Sequence, residues 1–194
     1  MNRRSGIESK KRIIDAAMGV FSRHGYAKAN IREIAKTAGI SVGGVYLYFK
    51  NKEELYKSLI NDRMLDFGSK IELIAEQTKS PMVALSNFLR LHIENALKHK
   101  EIILLHIREH GFTFGMDEKR QFFRKQRRLI EKIILSGIST GEFRRCNAKE
   151  MAKIIMGSLR GILLSMALDD DVIVTPKGLN EFVLNGLLRK DKKE

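Results

Sequence analysis

The residues best suited to intermolecular chemistry lie close together in the first third of the chain. Gly43 and Gly44 open a short predicted helix, although each helical glycine costs about 1 kcal/mol relative to alanine. One reason to keep glycine there is close approach of the backbone to another surface, and free N–H groups at a helix start attract phosphate. Tyr46, Tyr48 and Lys52 add phosphate-binding groups. The alternatives are tighter helix packing for the glycines and a core position for Tyr46.

Side chains that read nucleic-acid bases are few in the same stretch. Val42 can touch a thymine methyl group, and Arg32 can reach a phosphate or a guanine. Contacts with phosphate fix the register of a protein on a duplex but carry no base information. We therefore expect part of any sequence preference to come from DNA shape.

Two short helices joined by a tight turn must position these side chains. Asn30 is a good N-cap for a helix over 31–38, with Glu33 in a capping-box position. Gly39 permits a positive φ, and Ser41 caps the next helix, so the pattern is a helix-turn-helix. Helices this short must pack on the preceding helix to be stable. The apolar residues expected at that contact are Ala17, Val20, Phe21, Ile34, Ile40, Val45 and Phe49.

A longer pattern surrounds this turn. It reads Ala17-x3-Phe21-x3-Gly25-Tyr26, then Ile34-Ala35-x2-Ala38-Gly39-Ile40-Ser41-x-Gly43-x2-Tyr46-x-Tyr48-Phe49-x-Asn51-Lys52-Glu53-Glu54-Leu55. Across about residues 8–60 the chain resembles the tetracycline-repressor (TetR) family of bacterial transcription regulators, apart from Asn30, where threonine is usual. The resemblance implies binding to double-stranded DNA. The residues that it implies as contacts are Arg32, Ser41, Val42, Gly43, Gly44, Tyr46, Tyr48 and Lys52.

Helical periodicity continues to the end of the chain, without a convincing strand pattern. After a first helix that stops at His24–Gly25, predicted helices begin at Lys52, Pro81, Glu101, Asp117, Ala148 and either Pro176 or Lys177. The expected fold is all-α, with a helix-turn-helix head of three helices over 1–51 and a larger helical domain over 52–194. The resemblance implies about nine helices, and it assigns effector binding and dimerisation to the second domain.

Composition and charge favour a polyanionic partner. The 194 residues include 36 Lys and Arg against 23 Asp and Glu, a net charge of +13. Residues 1–54 hold 11 of these basic residues against 5 acidic ones. A single cysteine, Cys146, excludes an internal disulfide, and neither a signal peptide nor an apolar run of roughly 18 residues is evident. We expect a cytoplasmic protein with no membrane span, no metal and no cofactor.

The second domain contains candidates for an effector pocket, namely Phe67, His92, His106, His110, Phe112, Phe114 and Met116. Core packing is the alternative for the aromatic residues, because pockets and cores share composition. His106, Glu109 and His110 also match the H-x-x-E-H pattern of zinc proteases, but no third ligand is evident and a polar pocket lining or a surface pair is favoured. The basic run 119–128 is expected to be a solvated helix face, with a second nucleic-acid surface or an acidic ligand as alternatives.

The last two predicted helices are expected to form a homodimer interface, as the resemblance implies. Its candidate residues are Ile155, Leu159, Ile162, Leu163, Met166 and Phe182. The expected function is a homodimeric regulator, most simply a repressor that a small-molecule effector releases from a palindromic operator. A basic helical protein that binds RNA or a membrane surface, and a zinc hydrolase using His106, Glu109 and His110, are the alternatives. Neither explains the pattern from Gly39 to Lys52.

Overall fold

The computed structural model of the chain describes residues 3–101, 103–104, 116–168 and 174–188. Eight named helices form the fold in these ranges, where the only β geometry is an isolated antiparallel pairing of Phe143 with Leu188. The helices are α1 (Arg3–Lys28), α2 (Ile31–Ala38), α3 (Val42–Tyr46), α4 (Lys52–Gln77), α5 (Pro81–Lys98), α6 (Met116–Thr140), α7 (Ala148–Leu168) and α8 (Pro176–Leu187). The predicted all-α class is confirmed. In the described ranges, every helix is too short or too polar to span a membrane.

Most helix bounds agree with the sequence prediction within a few residues, and α1 shows the clearest difference. Gly25 has φ 74° and ψ 167°, so the positive φ expected of this glycine is present. After Gly25 the chain nevertheless returns to a helical turn, and α1 ends at Lys28. The Ala29 N–H donates to the Gly25 carbonyl at 3.1 Å. The helix predicted to begin at Glu101 runs into residues outside the described ranges.

The chain forms two compact units. Unit 1 contains the described residues of Met1–Leu65 and Glu101–Gly115, and unit 2 those of Asp66–Lys100 and Met116–Glu194. The predicted division between 1–51 and 52–194 lies at the start of α4, whereas the units separate within α4. The reason is that Leu55, Tyr56 and Leu59, all at the start of α4, are fully buried in the core of unit 1.

The core of unit 1 joins α1, α2 and α3 to the first part of α4. The ring of Phe21 packs edge-on against Tyr56, with 5.0 Å between centroids. At the surface, Arg63 of α4 donates to Asp15 of α1 at 2.7 Å. Of the seven apolar residues expected at this contact, six are buried and Ile40 is half-buried. The short helices α2 and α3 are thus held by the longer ones, as the sequence predicts.

Unit 2 contains the later part of α4 together with α5 to α8, around a separate core. Leu85, Leu89, Ile130 and Ile134 are fully buried there. Glu142, in the α6–α7 connection, accepts hydrogen bonds from the Ser80 hydroxyl at 2.8 Å and from the backbone N–H of Met82 at 3.1 Å. This carboxylate therefore satisfies one of the free N–H groups at the start of α5.

Three of the five dimer residues predicted in α7 are buried within a single chain. Ile155 and Leu159 are only 4% and 3% exposed, because their side chains pack into the core of unit 2 itself, and Met166 is only 8% exposed. Ile162 and Leu163 are half-buried. The apolar stripe seen in the sequence is real, but most of it packs within one chain.

A different stripe of α7 faces outward, and we call it the α7 stripe: Ile154, Gly157 and Gly161. Ile154 is 50% exposed, and a Cβ added at either glycine would meet nothing within 4 Å. In α8, the predicted interface residue Phe182 is 71% exposed. These residues leave apolar and small side chains uncovered on unit 2.

Candidate nucleic-acid interface

Three residues fix the course of the chain from α2 into α3. The Asn30 side chain accepts a hydrogen bond from the Arg32 N–H at 2.9 Å, and Gly39 ends α2 in the left-handed region with φ 64° and ψ 39°. The Ser41 hydroxyl then accepts from the Gly44 N–H at 3.0 Å. Both N-caps and the positive φ of Gly39 agree with the sequence prediction.

Helix α3 turns one side away from the core of unit 1. Val45 is 1% exposed, whereas Val42 is 37%, Tyr46 50% and Leu47 79% exposed, and Gly43 is exposed as well. Residues four apart on a helix share a side, which joins Val42 to Tyr46 and Gly43 to Leu47. We call these four residues the outer face of α3. Leu47 is absent from the sequence-based candidates, although its spacing from Gly43 was a usable signal.

The two glycines of α3 have different surroundings. A Cβ at Gly43 would meet nothing within 4 Å, whereas a Cβ at Gly44 would lie 2.6 Å from Ile40 Cγ2 and 3.2 Å from Ser41 Oγ. Neither glycine has a positive φ. Packing inside the turn therefore explains Gly44, as the packing alternative supposed. The same explanation does not apply to Gly43, whose surface is open to a partner.

Of the two tyrosines, Tyr46 is the more accessible, although the sequence favours Tyr48 as the phosphate contact. Tyr46, for which a core position was the alternative, is half exposed. The Tyr48 hydroxyl is buried and has no hydrogen-bond partner among the described residues. It lies against α1, where a Cβ at Gly6 would be 3.8 Å from it. Tyr46 is therefore the more accessible of the two predicted phosphate contacts, and the contact predicted for Tyr48 would require its ring to move.

Lys52 has different partners from the phosphate predicted for it. Its ammonium donates to the carbonyls of Tyr26, Ala27 and Ala29 at 2.7, 3.1 and 3.3 Å. The same nitrogen lies 4.6 Å from the centroid of the Tyr26 ring. Because an ammonium has three N–H donors, these carbonyls can occupy all of them. The structure thus assigns Lys52 to the end of α1.

The remaining polar candidate on α2 is accessible. Arg32 is exposed, and its guanidinium has no ion pair with any residue that the structure describes. Its neighbour Glu33 accepts from Arg23 and lies against His24, both at 3.2 Å, instead of closing a capping box on Asn30. The hydrogen bond from Arg23 is the main cause of the lowered pKa of Glu33. Arg32 is therefore left free to meet an anion.

Two candidates for the effector pocket come together in unit 2. The rings of Phe67 on α4 and His92 on α5 meet edge-on, 4.9 Å apart. Burial lowers the pKa of His92 to about 4. His106, His110, Phe112, Phe114 and the side chain of Met116 lie outside the described residues, as does Glu109 of the zinc alternative. Where the structure describes the chain, no three His, Cys, Asp or Glu side chains are grouped to hold a metal.

The basic run 119–128 faces solvent in part. Phe122 and Phe123 are half-buried, as the sequence suggests. The guanidinium of Arg160, from α7, lies 4.0 Å from the Phe123 ring centroid. Burial and the charge of Arg127 lower the pKa of Arg160, and neither arginine pairs with a carboxylate within the described ranges. Two unneutralised guanidinium groups thus act on each other in unit 2.

Comparisons with known proteins agree with this geometry. Residues 13–59 match the family described as bacterial regulatory proteins, tetR family. The fatty acid metabolism regulator protein of Bacillus subtilis (strain 168) is 25% identical over 184 residues, which are 92% of this chain and 95% of that protein. Two solved structures share the fold. The first is the transcriptional regulator FadR from Bacillus subtilis in complex with stearoyl-CoA, with a TM-score of 0.70 and 22% identity over 90% of this chain and 95% of that one. The second is a TetR transcription regulator from Haloarcula marismortui, with a TM-score of 0.79 and 18% identity over 93% of this chain and 98% of that one.

Proposed function

Because the chain belongs to the TetR family of bacterial transcriptional regulators, which are DNA-binding proteins and not enzymes, we propose that it is a homodimeric repressor of a two-fold symmetric operator. The observation that carries this proposal is the outer face of α3, which is exposed, glycine-bearing and inside the residues that match the family. A short helix with such a face fits the major groove of B-form DNA. The site of action is the bacterial cytoplasm, where the DNA is.

The residues of this face have separate roles in the proposal. Gly43 lets the backbone approach the duplex, and the Tyr46 hydroxyl donates to a phosphate, which positions the helix. Val42 and Leu47 offer apolar contacts to thymine methyl groups, and Arg32 binds a phosphate or a guanine. Ser41 and Gly44, which are predicted as contacts, support the shape of α3 instead, because their polar groups already form its cap.

The dimer proposal rests on the α7 stripe together with Phe182. Gly157 and Gly161 have open space where a side chain would be, so another helix can come close to the backbone there. Ile154, on the same helix, and Phe182 of α8 supply uncovered apolar surface. A two-fold dimer would place two copies of α3 in successive major grooves, about 34–36 Å apart.

We further propose that a small molecule bound in unit 2 releases the operator. Acyl-CoA thioesters are the first class to test, since the FadR structure contains stearoyl-CoA. Arg127 and Arg160, which no carboxylate neutralises within the described ranges, suit the phosphates of such a ligand. Helix α4 contributes to both units, so a ligand that displaces it would change the spacing of the recognition helices. Such coupling is typically about 1–3 kcal/mol.

Selection from a random pool of duplex DNA by the full-length chain tests the DNA-binding proposal. We expect the wild type to select a two-fold symmetric motif. We expect a Gly43→Glu variant to enrich nothing, because its side chain has room in the free protein but brings bulk and negative charge against the DNA. A well-folded protein that selects no symmetric duplex, or that prefers RNA or anionic vesicles, would contradict it. The effector proposal is tested by measuring the affinity for the operator in the presence of stearoyl-CoA and, separately, in the presence of free CoA. Equal affinities under the two conditions would refute it.

A further inference from the structure

Two buried acceptor atoms in unit 2 lack a hydrogen-bond donor. They are Nε2 of His92 on α5 and Oε1 of Gln126 on α6, and neither has a partner among the described residues. Gln126 is only 1% exposed. A buried polar atom without a partner costs about 1–3 kcal/mol. Native proteins seldom keep two such atoms in one region without a use for them.

His92 belongs to an aromatic cluster that extends along α4 toward Gln126. The His92 ring lies 4.9 Å from the centroid of Phe67 and 4.2 Å from that of Phe88. Phe67 also approaches Phe122 of α6, at 6.3 Å between centroids. Helix α4 reaches Gln126 through the residue after Phe67, because a Cβ at Gly68 would lie 3.4 Å from Phe122 and 3.6 Å from the Gln126 amide nitrogen. Nε2 of His92 is therefore set among apolar rings, and Gln126 lies near the same stretch of α4.

The protein fixes which nitrogen of His92 carries the proton. Nδ1 lies 2.8 Å from the carbonyl oxygen of Phe88, and a carbonyl can only accept, so Nδ1 must be the donor. Nε2 then presents a lone pair. Burial lowers the pKa of this imidazole to about 4, so it stays neutral near pH 7. No described residue supplies a hydrogen to this lone pair, so it is open to a donor from a ligand.

We propose that the effector of this regulator presents an uncharged O–H or N–H donor to His92 Nε2, with its apolar part against Phe67, Phe88 and Phe122. Gln126 accepts from the same ligand or turns its amide to suit it. A free carboxylate is excluded from this position, because it would bring a third acceptor to two acceptors in an apolar setting. The inference rests on the proposed effector function, and an acyl-CoA meets it through the amide and hydroxyl groups of its pantetheine arm.

The test uses the full-length chain labelled with ¹⁵N-histidine and matched probes. The donors are 1-decanol and N-methyldecanamide, and their methylated partners are decyl methyl ether and N,N-dimethyldecanamide, with decanoate as the anion. We expect the donors to move the Nε2 resonance of His92 toward that of a hydrogen-bonded nitrogen and to bind about tenfold or more tightly than their partners. The proposal is overturned if no donor moves the resonance, or if the methylated or anionic probes bind equally well.

A His92→Phe variant keeps the aromatic packing but removes the acceptor. Its affinity for decanol should fall to that for decyl methyl ether, while its affinity for the ether stays unchanged. A His24→Phe variant, at an exposed histidine, should behave like the wild type. Operator affinity, measured with the same probes, separates the two proposals. A shift at Nε2 without DNA release supports this site and contradicts effector release, whereas DNA release without a shift overturns this site and leaves release standing.

Discussion

Gly43 and Gly44 are neighbours in α3, but different constraints keep them as glycine. Gly43→Ala places a methyl in open space, so we expect it to raise the free energy of unfolding by about 0.5–1 kcal/mol. The same methyl should weaken operator binding by about tenfold or more, or ~1.4 kcal/mol, because it separates the backbone from the duplex. Gly44→Ala would bring its Cβ within 2.6 Å of Ile40, and overpacking of this kind costs about 1–3 kcal/mol.

Urea denaturation and fluorescence anisotropy on a labelled operator measure the two quantities for each glycine variant. An alanine at position 43 that leaves operator affinity unchanged would remove Gly43 from the interface.

The two tyrosines provide a matched pair. Tyr46 is half exposed, so Tyr46→Phe should remove a hydrogen bond to phosphate and weaken binding by about tenfold, equally for all operator sequences. Tyr48→Phe removes a buried hydroxyl that has no partner among the described residues, so binding should be unchanged and stability equal or slightly higher. Anisotropy titrations on several operator variants check both. The reverse pattern would mean that the ring of Tyr48 turns outward on DNA.

The lowered pKa of His92 predicts that the stability of the fold decreases in acid. The pKa of this side chain is lowered by burial to about 4 from 6.5, so between these values the unfolded chain binds a proton that the folded chain does not. Stability must therefore fall as pH decreases through this window, by about 3 kcal/mol in the limit. His92→Phe should lose this component, which denaturation at pH 7 and pH 4.5 can measure as a difference between the two proteins. Parallel pH profiles would show that His92 is already charged or exposed.

At the scale of helices, Lys52 joins two helix ends of opposite polarity. A cation is unfavourable at the start of α4, but the free carbonyls at the end of α1 attract it. Lys52→Met should therefore lower the free energy of unfolding by about 1–3 kcal/mol, with little change in the salt dependence of DNA binding. Lys50→Met, at an exposed lysine nearby, is the control for stability. If Lys52→Met instead lowers the salt slope by about 1 per subunit, its ammonium leaves the carbonyls to bind phosphate.

Local signals in the sequence were enough to predict the α2–α3 turn. Asn30, Gly39 and Ser41 act on groups within four residues of themselves, so their roles can be read from spacing. The accessibility of Tyr46 and Tyr48, by contrast, depends on how α3 is rotated against α1, which the sequence does not state. Lys52 reaches carbonyls more than 20 residues away in sequence. Such contacts depend on tertiary packing and could not be predicted.

The same limit applies to the dimer residues. An apolar stripe in α7 is visible in the sequence, but periodicity cannot distinguish a core within one chain from a contact between two chains. Ile155 and Leu159 belong to the core within one chain, since both are almost fully buried. Ile154, Gly157 and Gly161 are one turn or two apart along the exposed side of α7, so they are the residues that we propose for a contact between two chains.

For the whole molecule, the proposed function requires two copies of the chain to bind one operator together. Gly161→Glu projects a charged side chain into space that is open in one chain, so each subunit should fold normally. In a close helix contact the same side chain would be buried without a partner, which is strongly unfavourable. We expect monomers in sedimentation velocity and, because the second half-site no longer helps the first, a loss of operator affinity of about a hundredfold or more. Leu73→Glu, at a comparably exposed apolar residue of α4, should remain dimeric. A Gly161→Glu protein that stays dimeric and keeps its affinity would place the two-fold axis elsewhere on unit 2.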